Sequence, residues 1–468
     1  MIIKHIFDYL IMSYTFVICL SYLILGLVSA TILINHNRKS QFADYHIIHS
    51  SPFAPTISII APAYNESKTI VDNIRALLAL HYNIFEVIIV NDGSTDDSID
   101  KVIKEYELEK VDYFVNPIIP TKEIKGVYRS QNKAFTNLTV IDKINGGKAD
   151  ALNAGLNVSK YDYFLAIDVD SVIDPIALLK LIKPIIEASD KKVIATGGAV
   201  RIVNSCNVNN GNIVNIEIPR NFWAKFQILE YTRAFLMGRI AWSKLNGLLL
   251  VSGALGLFDK KIAIECGGYS NETVGEDMEL VVRMRRHMYE RKIKHEVVYI
   301  PDPLCWTEVP ETIKTLSRQR NRWTRGTMGT LFMHKKVFFN PKYGSMGMIG
   351  YPYWFFFEWL APLIEFSGIV YFAIMAITGH VNWSYFILLL AFIYLFAVAF
   401  SFFSILYEEL TFHKYYKRLQ ILKLFLTAII EPFFYHQMTV FWAIKGNIAY
   451  WMGEKGWGVM ERFEFKKR

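Results

Sequence analysis

The fold class follows from the stretch YFLAIDVD, residues 163–170. A short, largely apolar run of this kind is typical of a strand that is buried on both faces. Two carboxylates follow it, and α/β sheets bind ligands at this carboxyl edge. Strand alternation predicts that Asp168 and Asp170 lie on the same face, where their oxygens suit a hard divalent cation. An Asp-rich turn before the next helix is the alternative.

Residues 50–310 repeat this pattern of short β-branched runs and helix-period segments, which predicts an α/β domain with crossover helices. Two segments interrupt the rhythm, 116–142 and 204–215, and we expect them to be loops or insertions. The predicted strands are 56–60, 86–90, 163–167 and 192–196, and the predicted helices are 67–80 and 175–188.

The amino-terminal segment, residues 1–36, is expected to be a transmembrane helix. Residues 9–34 contain no Asp, Glu, Lys or Arg, and a helix of that length spans a hydrocarbon core of about 30 Å. A cleaved signal peptide is the alternative, but the apolar run is too long for one and no small-residue cleavage site follows it closely. Arg38 and Lys39 just after the run place the following domain in the cytoplasm.

The carboxyl-terminal part, residues 351–445, is expected to hold further spans at 352–378 and 384–407. A third apolar stretch, 421–444, contains Glu431-Pro432 and precedes a basic tail, 446–468. Three crossings would put this basic tail outside, against the positive-inside tendency, so the stretch crosses the membrane, re-enters it or lies at its surface.

Polar residues among these apolar segments are expected to line a groove that faces protein or water, because exposing them to lipid is costly. Membrane-interface anchoring and interhelical hydrogen bonds are the alternatives. The residues are Glu358, Glu365, Glu431, His436 and Gln437.

Composition agrees with a membrane protein. The 468 residues are 52% hydrophobic with a mean hydropathy of +0.23, which disfavours a purely soluble chain. Fifty-one Lys and Arg against 43 Asp and Glu give a net charge of +8, which suits anionic lipid or phosphate ligands but does not by itself indicate nucleic-acid binding. Four scattered cysteines suggest neither a disulfide framework nor a zinc site.

Three short motifs contain residues that could bind phosphate or transfer a proton. Gly146-Gly147-Lys148 precedes a helix-like segment, where amides and an ammonium can bind phosphate. Glu276-Asp277 opens another helix, either as ordinary capping or as a base facing a cleft. Gln319, Arg322 and Trp323 share one helix face, which offers an amide, a guanidinium for phosphate oxygens and a broad aromatic surface. The alternative is an interfacial helix within residues 311–350.

With these motifs in order, the chain strongly resembles the membrane-embedded family-2 glycosyltransferases, especially poly-N-acetylglucosamine, hyaluronan and cellulose synthases. The resemblance covers about residues 55–323. It departs from the family at Gly275, where Thr or Ser is frequent, and in having one amino-terminal span where many relatives have two. The motifs that carry it are Ala63-Tyr64-Asn65-Glu66, Asn91-Asp92-Gly93-Ser94, Gly147-Lys148-Ala149-Asp150-Ala151, Asp168-Val169-Asp170, Ser252-Gly253-Ala254-Leu255-Gly256, Glu276-Asp277 and Gln319–Trp323.

The resemblance implies a GT-A fold flanked by transmembrane and interfacial α-helices, and an inverting displacement of UDP by an acceptor hydroxyl. Asp277 would be the general base, and Asp168 and Asp170 would hold Mg²⁺ or Mn²⁺ against the diphosphate. The other implied contacts are Tyr64, Glu66 and Asp92 around the uridine, Lys148 near the nucleotide, Arg322 at the leaving diphosphate, and Gln319 and Trp323 under the acceptor sugar.

The function expected is a processive synthase that extends a polysaccharide from a UDP-sugar, first of all UDP-N-acetylglucosamine, and passes it across a bacterial inner membrane. Transfer of one sugar to a lipid-linked acceptor is the alternative. A channel with an inactive nucleotide-binding domain and a nucleotidyltransferase explain fewer of the motifs. The expected partners are the donor, the growing chain or lipid acceptor, membrane lipids and separate accessory or export subunits, with no nucleic acid.

Overall fold

The computed structural model describes residues 2–40, 45–209, 211–412, 417–454 and 456. Within these residues the strands are β1 Ile57–Ala63, β2 Phe85–Asp92, β3 Leu108–Val111, β4 Ile124–Ser130, β5 Leu138–Lys143, β6 Tyr163–Ile167, β7 Val172–Ile173, β8 Lys192–Ile202, β9 Asn207–Asn209, β10 Asn212–Asn215, β11 Leu255–Asp259 and β12 His295–Thr307.

The helices carry the membrane-embedded and interfacial parts as well as the crossovers. They are α1 Ile2–Ser40, α2 Tyr45–Ser50, α3 Ile70–Leu78, α4 Ser98–Glu105, α5 Lys148–Val158, α6 Ala177–Glu187, α7 Phe222–Thr232, α8 Ile240–Lys244, α9 Lys260–Glu265, α10 Glu276–Glu290, α11 Ile313–Met333, α12 Tyr351–Tyr353, α13 Ala361–Ile377, α14 Trp383–Phe412 and α15 Arg418–Trp451. A π-helical segment, Arg233–Arg239, joins α7 to α8.

Ten of the described strands form one mixed sheet in the order β3-β4-β5-β2-β1-β6-β11-β8-β12-β7. The centre is parallel, with Ile59 of β1 paired to Val87 of β2 and to Leu165 of β6. These strands are nearly fully buried because helices cover both faces, and α5 packs so closely that a Cβ at Gly155 would lie 2.3 Å from a methyl group of Ile60. The sheet therefore brings the ends of β2 and β6 to the edge where the predicted site residues lie.

The predicted strands and helices are present, and β6 has the predicted bounds, but the two predicted loops are wrong. The segment 116–142 contains β4 and most of β5, and 204–215 contains the hairpin of β9 and β10. Polar residues such as Lys125, Arg129 and Asn207 interrupt the apolar pattern that marks a buried strand, and the strands form by pairing with their neighbours in the chain, β4 with β5 and β9 with β10.

Three helices among the described residues are long and apolar enough to cross a membrane: His5–Arg38, Met346–Ile377 and Trp383–Phe412. They match the three predicted spans, and the chain is an integral membrane protein. The ambiguous stretch 421–444 lies within α15, which continues through Pro432 and packs against α7, α11, α13 and α14. Residues 457–468 of the predicted basic tail lie outside the described residues.

Buried ion pairs tie the sheet and its neighbouring helices to the membrane helices. Arg201 at the end of β8 binds Glu408 of α14 through both carboxylate oxygens, and both side chains are almost fully buried. Arg233 makes two 2.9 Å hydrogen bonds to Glu431 of α15. Removing one partner of such a pair leaves an uncompensated buried charge, so these contacts fix the sheet relative to the membrane helices.

Candidate active site

A cavity of about 1150 Å³ runs from the carboxyl edge of the sheet to the membrane helices. Its wall includes side chains from α1, α10, α11, α13, α14 and α15. The predicted site residues that line it are Lys148, Asp168, Asp277, Gln319, Arg322 and Trp323. The cavity therefore joins the predicted donor groups to the predicted acceptor floor.

Lys148 is a cation on the cavity wall beside Asp168. It is the first residue of α5, after Gly147, whose φ of 89° favours glycine. Its Nζ lies 2.5 Å from Asp168 Oδ1 and 3.6 Å from Glu276 Oε1, and it donates a 3.1 Å hydrogen bond to the carbonyl of Gly253. Burial alone lowers the pKa of Lys148, but Asp168 and Glu276 outweigh it and hold the pKa above its ordinary value.

Glu276 and Asp277 form the first turn of α10, where the helix dipole favours negative charge. Burial raises the pKa of Glu276 to about 7, with Lys148 acting to lower it and Asp277 to raise it. Asp277 lines the cavity, and a Cβ at Gly253 would lie 3.0 Å from Asp277 Oδ2. Gly253 therefore leaves room for the Asp277 carboxylate, and the pair differs in environment although the residues are adjacent.

Another part of the cavity wall is formed by α11, which contains the whole of Gln319–Trp323 on one helix, as predicted. Trp323 keeps 40% of its surface exposed, and its ring centroid lies 6.4 Å from that of Tyr231. The Arg320 guanidinium lies over the Trp323 ring, with its Cζ atom 4.0 Å from the ring centroid. These neighbours leave an aromatic surface available to a sugar while restraining the ring.

Arg320 is in turn held by groups that local sequence patterns did not identify. It donates to Glu230 Oε2 of α7 at 2.6 Å and to the hydroxyl of Tyr435 in α15 at 2.9 Å, and Tyr435 donates to Glu230. Arg320 could have been identified from the sequence, because it lies within the Gln319–Trp323 motif. Glu230 lies 90 positions from Arg320 in the sequence, and no motif there indicated its role.

Two glycines bring α11 against the start of α10. A Cβ at Gly326 would lie 2.8 Å from Gly275 Cα, and a Cβ at Gly275 would lie 2.8 Å from Gly326 Cα. A Thr or Ser at position 275, which the family resemblance leads us to expect, would therefore collide with the α11 backbone here. This close approach holds α11, which carries Arg322 and Trp323, against the start of α10, which carries Asp277.

The remaining predicted residues do not line this cavity: Tyr64, Glu66, Asp92 and Asp170. Tyr64 is half exposed, whereas Glu66 and Asp92 are buried. The Asp92 carboxylate accepts hydrogen bonds from the amides of Gly146 and Gly147 at 2.9 and 2.8 Å and from buried Lys143 at 2.7 Å. Asp92 thus anchors the turn that presents Lys148.

The alternation argument for Asp168 and Asp170 fails, because β6 ends at Ile167 and the chain turns, with Ser171 donating to the carbonyl of Asp168. Asp168 faces the cavity, but Asp170 does not line it. The expectation that both carboxylates share a strand face is therefore corrected.

The membrane half of the cavity is lined by all the polar residues singled out near the spans: Glu358, Glu365, Glu431, His436 and Gln437. Some also make contacts between helices. Glu365 of α13 pairs with His436 of α15 at 2.8 Å, and Glu431 pairs with Arg233. Interhelical bonding and cavity lining therefore occur together at these positions.

Known proteins are similar to this chain in sequence or in fold. Poly-beta-1,6-N-acetyl-D-glucosamine synthase of Staphylococcus epidermidis is 30% identical over 58% of this chain and 54% of its own length. The enzyme of the same name from Staphylococcus aureus strain COL is 31% identical over 58% and 54%. The chain spans about half the length of the curated relatives it matches.

Among solved structures, a mannosyltransferase from Pyrobaculum calidifontis in complex with GDP-Man and Mn²⁺ matches 93% of this chain and 99% of its own, with a TM-score of 0.55 and 15% identity. The predicted GT-A fold is confirmed. A model of glycosyl transferase family 2 matches residues 58–139, and a model described as glycosyl transferase family group 2 matches residues 163–400. Since the second match covers about half of the chain, the chain belongs to glycosyl transferase family group 2.

Proposed function

We propose that the protein is a processive, inverting glycosyltransferase that polymerises sugar from a UDP-sugar and passes the polysaccharide through the membrane. The observation that carries the proposal is the single cavity that joins Lys148, Asp168 and Asp277 to Trp323 and continues among the membrane helices. A growing chain needs such a continuous path after each addition. The relatives named as poly-beta-1,6-N-acetyl-D-glucosamine synthases make UDP-N-acetylglucosamine the first donor to test.

The residues proposed to bind the UDP-sugar fall into two groups, cations for the diphosphate and a second set for the nucleoside. Lys148 and Arg322 are cations on the cavity wall and would bind the diphosphate, with Arg322 opposing the charge that develops on the leaving oxygen. Tyr64, Glu66 and Asp92 cluster near the carboxyl ends of β1 and β2 and would contact the nucleoside. For Asp92 this contact would be additional to its bonds with Gly146 and Gly147.

The donor set of the cavity fits a divalent cation shared with a diphosphate. No cluster of three or more His, Cys, Asp or Glu in the described part of the chain offers a cage made of protein alone. Asp168 exposes about a third of its side chain, 34%, and Mg²⁺ is usually held by one or two carboxylates with phosphate oxygens and water. Asp168 would hold Mg²⁺ or Mn²⁺, which would supply Lewis-acid stabilisation of the leaving diphosphate. Asp170 does not line the cavity in this structure, so its carboxylate would have to turn towards Asp168 to act as the second ligand.

Asp277 would carry out the proton transfer. Its carboxylate would accept the proton of the acceptor hydroxyl while the oxygen forms a bond to the anomeric carbon and the bond to the UDP oxygen breaks with inversion. Gln319 and Trp323 would hold the acceptor sugar, the amide by hydrogen bonding and the indole by contact with the apolar sugar face. After release of UDP, the new terminal hydroxyl would return to Asp277.

The domain organisation belongs to the same proposal. Residues 1–36 would anchor the chain, residues 50–310 would form the catalytic domain in the cytoplasm, and residues 311–350 would hold the acceptor at the membrane surface. Residues 351–445 would form the conducting part in a bacterial inner membrane, and 446–468 a basic tail. Lipids and separate accessory or export subunits would complete the assembly.

Purified protein incubated with a panel of UDP-sugars tests this function through UDP release and product length. We expect polymer from one donor, loss of turnover in excess EDTA, and loss of most turnover in Asp170→Ala with an unchanged melting temperature. Near-normal turnover of that variant would contradict the metal role of Asp170. A single-sugar lipid product would replace the processive function by the lipid-acceptor alternative.

A further inference from the structure

The contacts of Lys148 bear on how the site accepts its cation. The Lys148 ammonium lies 2.5 Å from Asp168 Oδ1, the carboxylate that faces the cavity, and its side chain is 14% exposed. The Gly253 carbonyl accepts a second hydrogen bond, and Glu276 Oε1 lies 3.6 Å away on a third side. The ammonium is therefore shared between two carboxylates, and it is nearer to Asp168.

A divalent cation and this ammonium are poorly compatible at the same oxygen. Magnesium binds carboxylate oxygen at about 2.0–2.1 Å, so a cation on Asp168 Oδ1 would stand within roughly 5 Å of Lys148 Nζ at its present distance. Two positive charges that close repel each other in a partly buried site. Lys148 has a long flexible stem, and Glu276 Oε1, 3.6 Å from the ammonium, is a second carboxylate within its reach.

We infer that the Lys148 ammonium competes with the divalent cation for Asp168, and that Glu276 and the donor diphosphate receive the ammonium when the cation binds. The inference rests on the proposed nucleotide-sugar function. It follows that cation and nucleotide bind with positive coupling, because the diphosphate stabilises Lys148 in its displaced position. The same coupling must act in both directions.

Removing the ammonium should therefore strengthen cation binding in the absence of nucleotide. For Lys148→Met, which keeps the length of the side chain, we expect Mn²⁺ to bind about tenfold more tightly than to the wild type, within the usual range of coupling between sites. UDP should tighten Mn²⁺ binding in both proteins, because its diphosphate shares the cation, and about tenfold more in the wild type than in the variant. Electron paramagnetic resonance of free Mn²⁺, with and without UDP, measures these affinities on the purified full-length protein.

A second variant predicts the opposite sign. Glu276→Gln removes the charge that attracts the ammonium away from Asp168, so Mn²⁺ without UDP should bind more weakly than to the wild type. Lys192→Met is the matched control, because Lys192 makes a 2.8 Å pair with Asp259 and does not line the cavity. Its Mn²⁺ affinity should equal that of the wild type. If Lys148→Met does not fold, the sign of the Glu276→Gln effect decides.

The outcomes separate the inference from the function beneath it. Mn²⁺ affinity that is unchanged or weaker in a folded Lys148→Met, or tighter in Glu276→Gln, overturns the competition while UDP-dependent Mn²⁺ binding still supports the proposed function. A wild-type protein that binds no Mn²⁺ even with UDP overturns the proposed function and the inference together.

Discussion

The glycine contact between α10 and α11 gives the sharpest test of how the site is positioned. In Gly326→Ala, the added Cβ would lie 2.8 Å from Gly275 Cα, whereas non-bonded carbons settle at about 3.5–4.0 Å. The obstacle is backbone and cannot rotate away, so the helices must separate by roughly 1 Å. Arg322 and Trp323 lie within one turn of Gly326 and would move with it.

A misplacement of this size can cost about 10²-fold in rate, and we expect that loss in the turnover of Gly326→Ala. The effect on stability should be smaller. Overpacking costs about 1–3 kcal/mol, and replacing Gly by Ala inside a helix returns roughly 1 kcal/mol. UDP affinity should fall much less than turnover, because Lys148 and Asp168 lie on other elements and Arg322 is the one proposed diphosphate ligand that moves with α11. UDP release, calorimetry with UDP and thermal denaturation measure the three quantities.

Gly329→Ala, one turn further along the same helix, is the matched control. Its Cβ would meet Thr273 Oγ1 at 2.9 Å, a side-chain hydroxyl that can rotate, so turnover should fall by no more than several-fold. Wild-type turnover in Gly326→Ala would refute the positioning argument. Equal losses in both variants would show that the flexibility of α11, and not the approach to α10, is what matters.

Three further predictions concern single side chains. Asp277→Asn should keep UDP affinity within several-fold and lower transfer by roughly 10²–10⁴, and a parallel fall in both would make Asp277 a nucleotide ligand or structural group. Trp323→Ala should shorten the product while UDP still binds, with Trp323→Phe restoring part of the length; chains of normal length from Trp323→Ala would contradict this role. The pKa of Glu276 is raised from 4.5 to about 7, so between these pH values the folded protein retains a proton that the unfolded chain loses. This group therefore makes the unfolding free energy fall as the pH rises from 4.5 to about 7. Glu276→Gln should flatten that slope in thermal denaturation, and an unchanged slope would contradict the assignment.

Local patterns in the sequence predicted the elements that carry the site. The apolar run of β6 has the predicted bounds, and α5, α10 and α11 begin or run where the motifs indicated. Such patterns succeed where one element is buried on its expected face and flanked by its own capping or turn residues.

Local sequence patterns did not predict contacts between distant parts of the chain. Asp92 is neutralised by Lys143 and by two amides some 50 positions away, and Arg320 meets Glu230 and Tyr435 across 90 and 115 positions. Asp170 was misplaced because strand alternation was carried past Ile167, where the backbone turns. In each case the outcome depends on the tertiary fold, and residues nearby in the sequence do not indicate it.

The pairing of Arg201 with Glu408 has a consequence for biogenesis. The two residues are 207 positions apart, and at about 5–20 residues per second a ribosome needs roughly 10–40 s to make that length of chain. During that time β8 exists while its carboxylate partner does not, so the emerging sheet carries a guanidinium that only a helix still awaiting insertion can neutralise. The last steps of folding must therefore follow membrane integration of α14, and a chain truncated before Glu408 should persist as an unfinished intermediate that chaperones or proteases recognise.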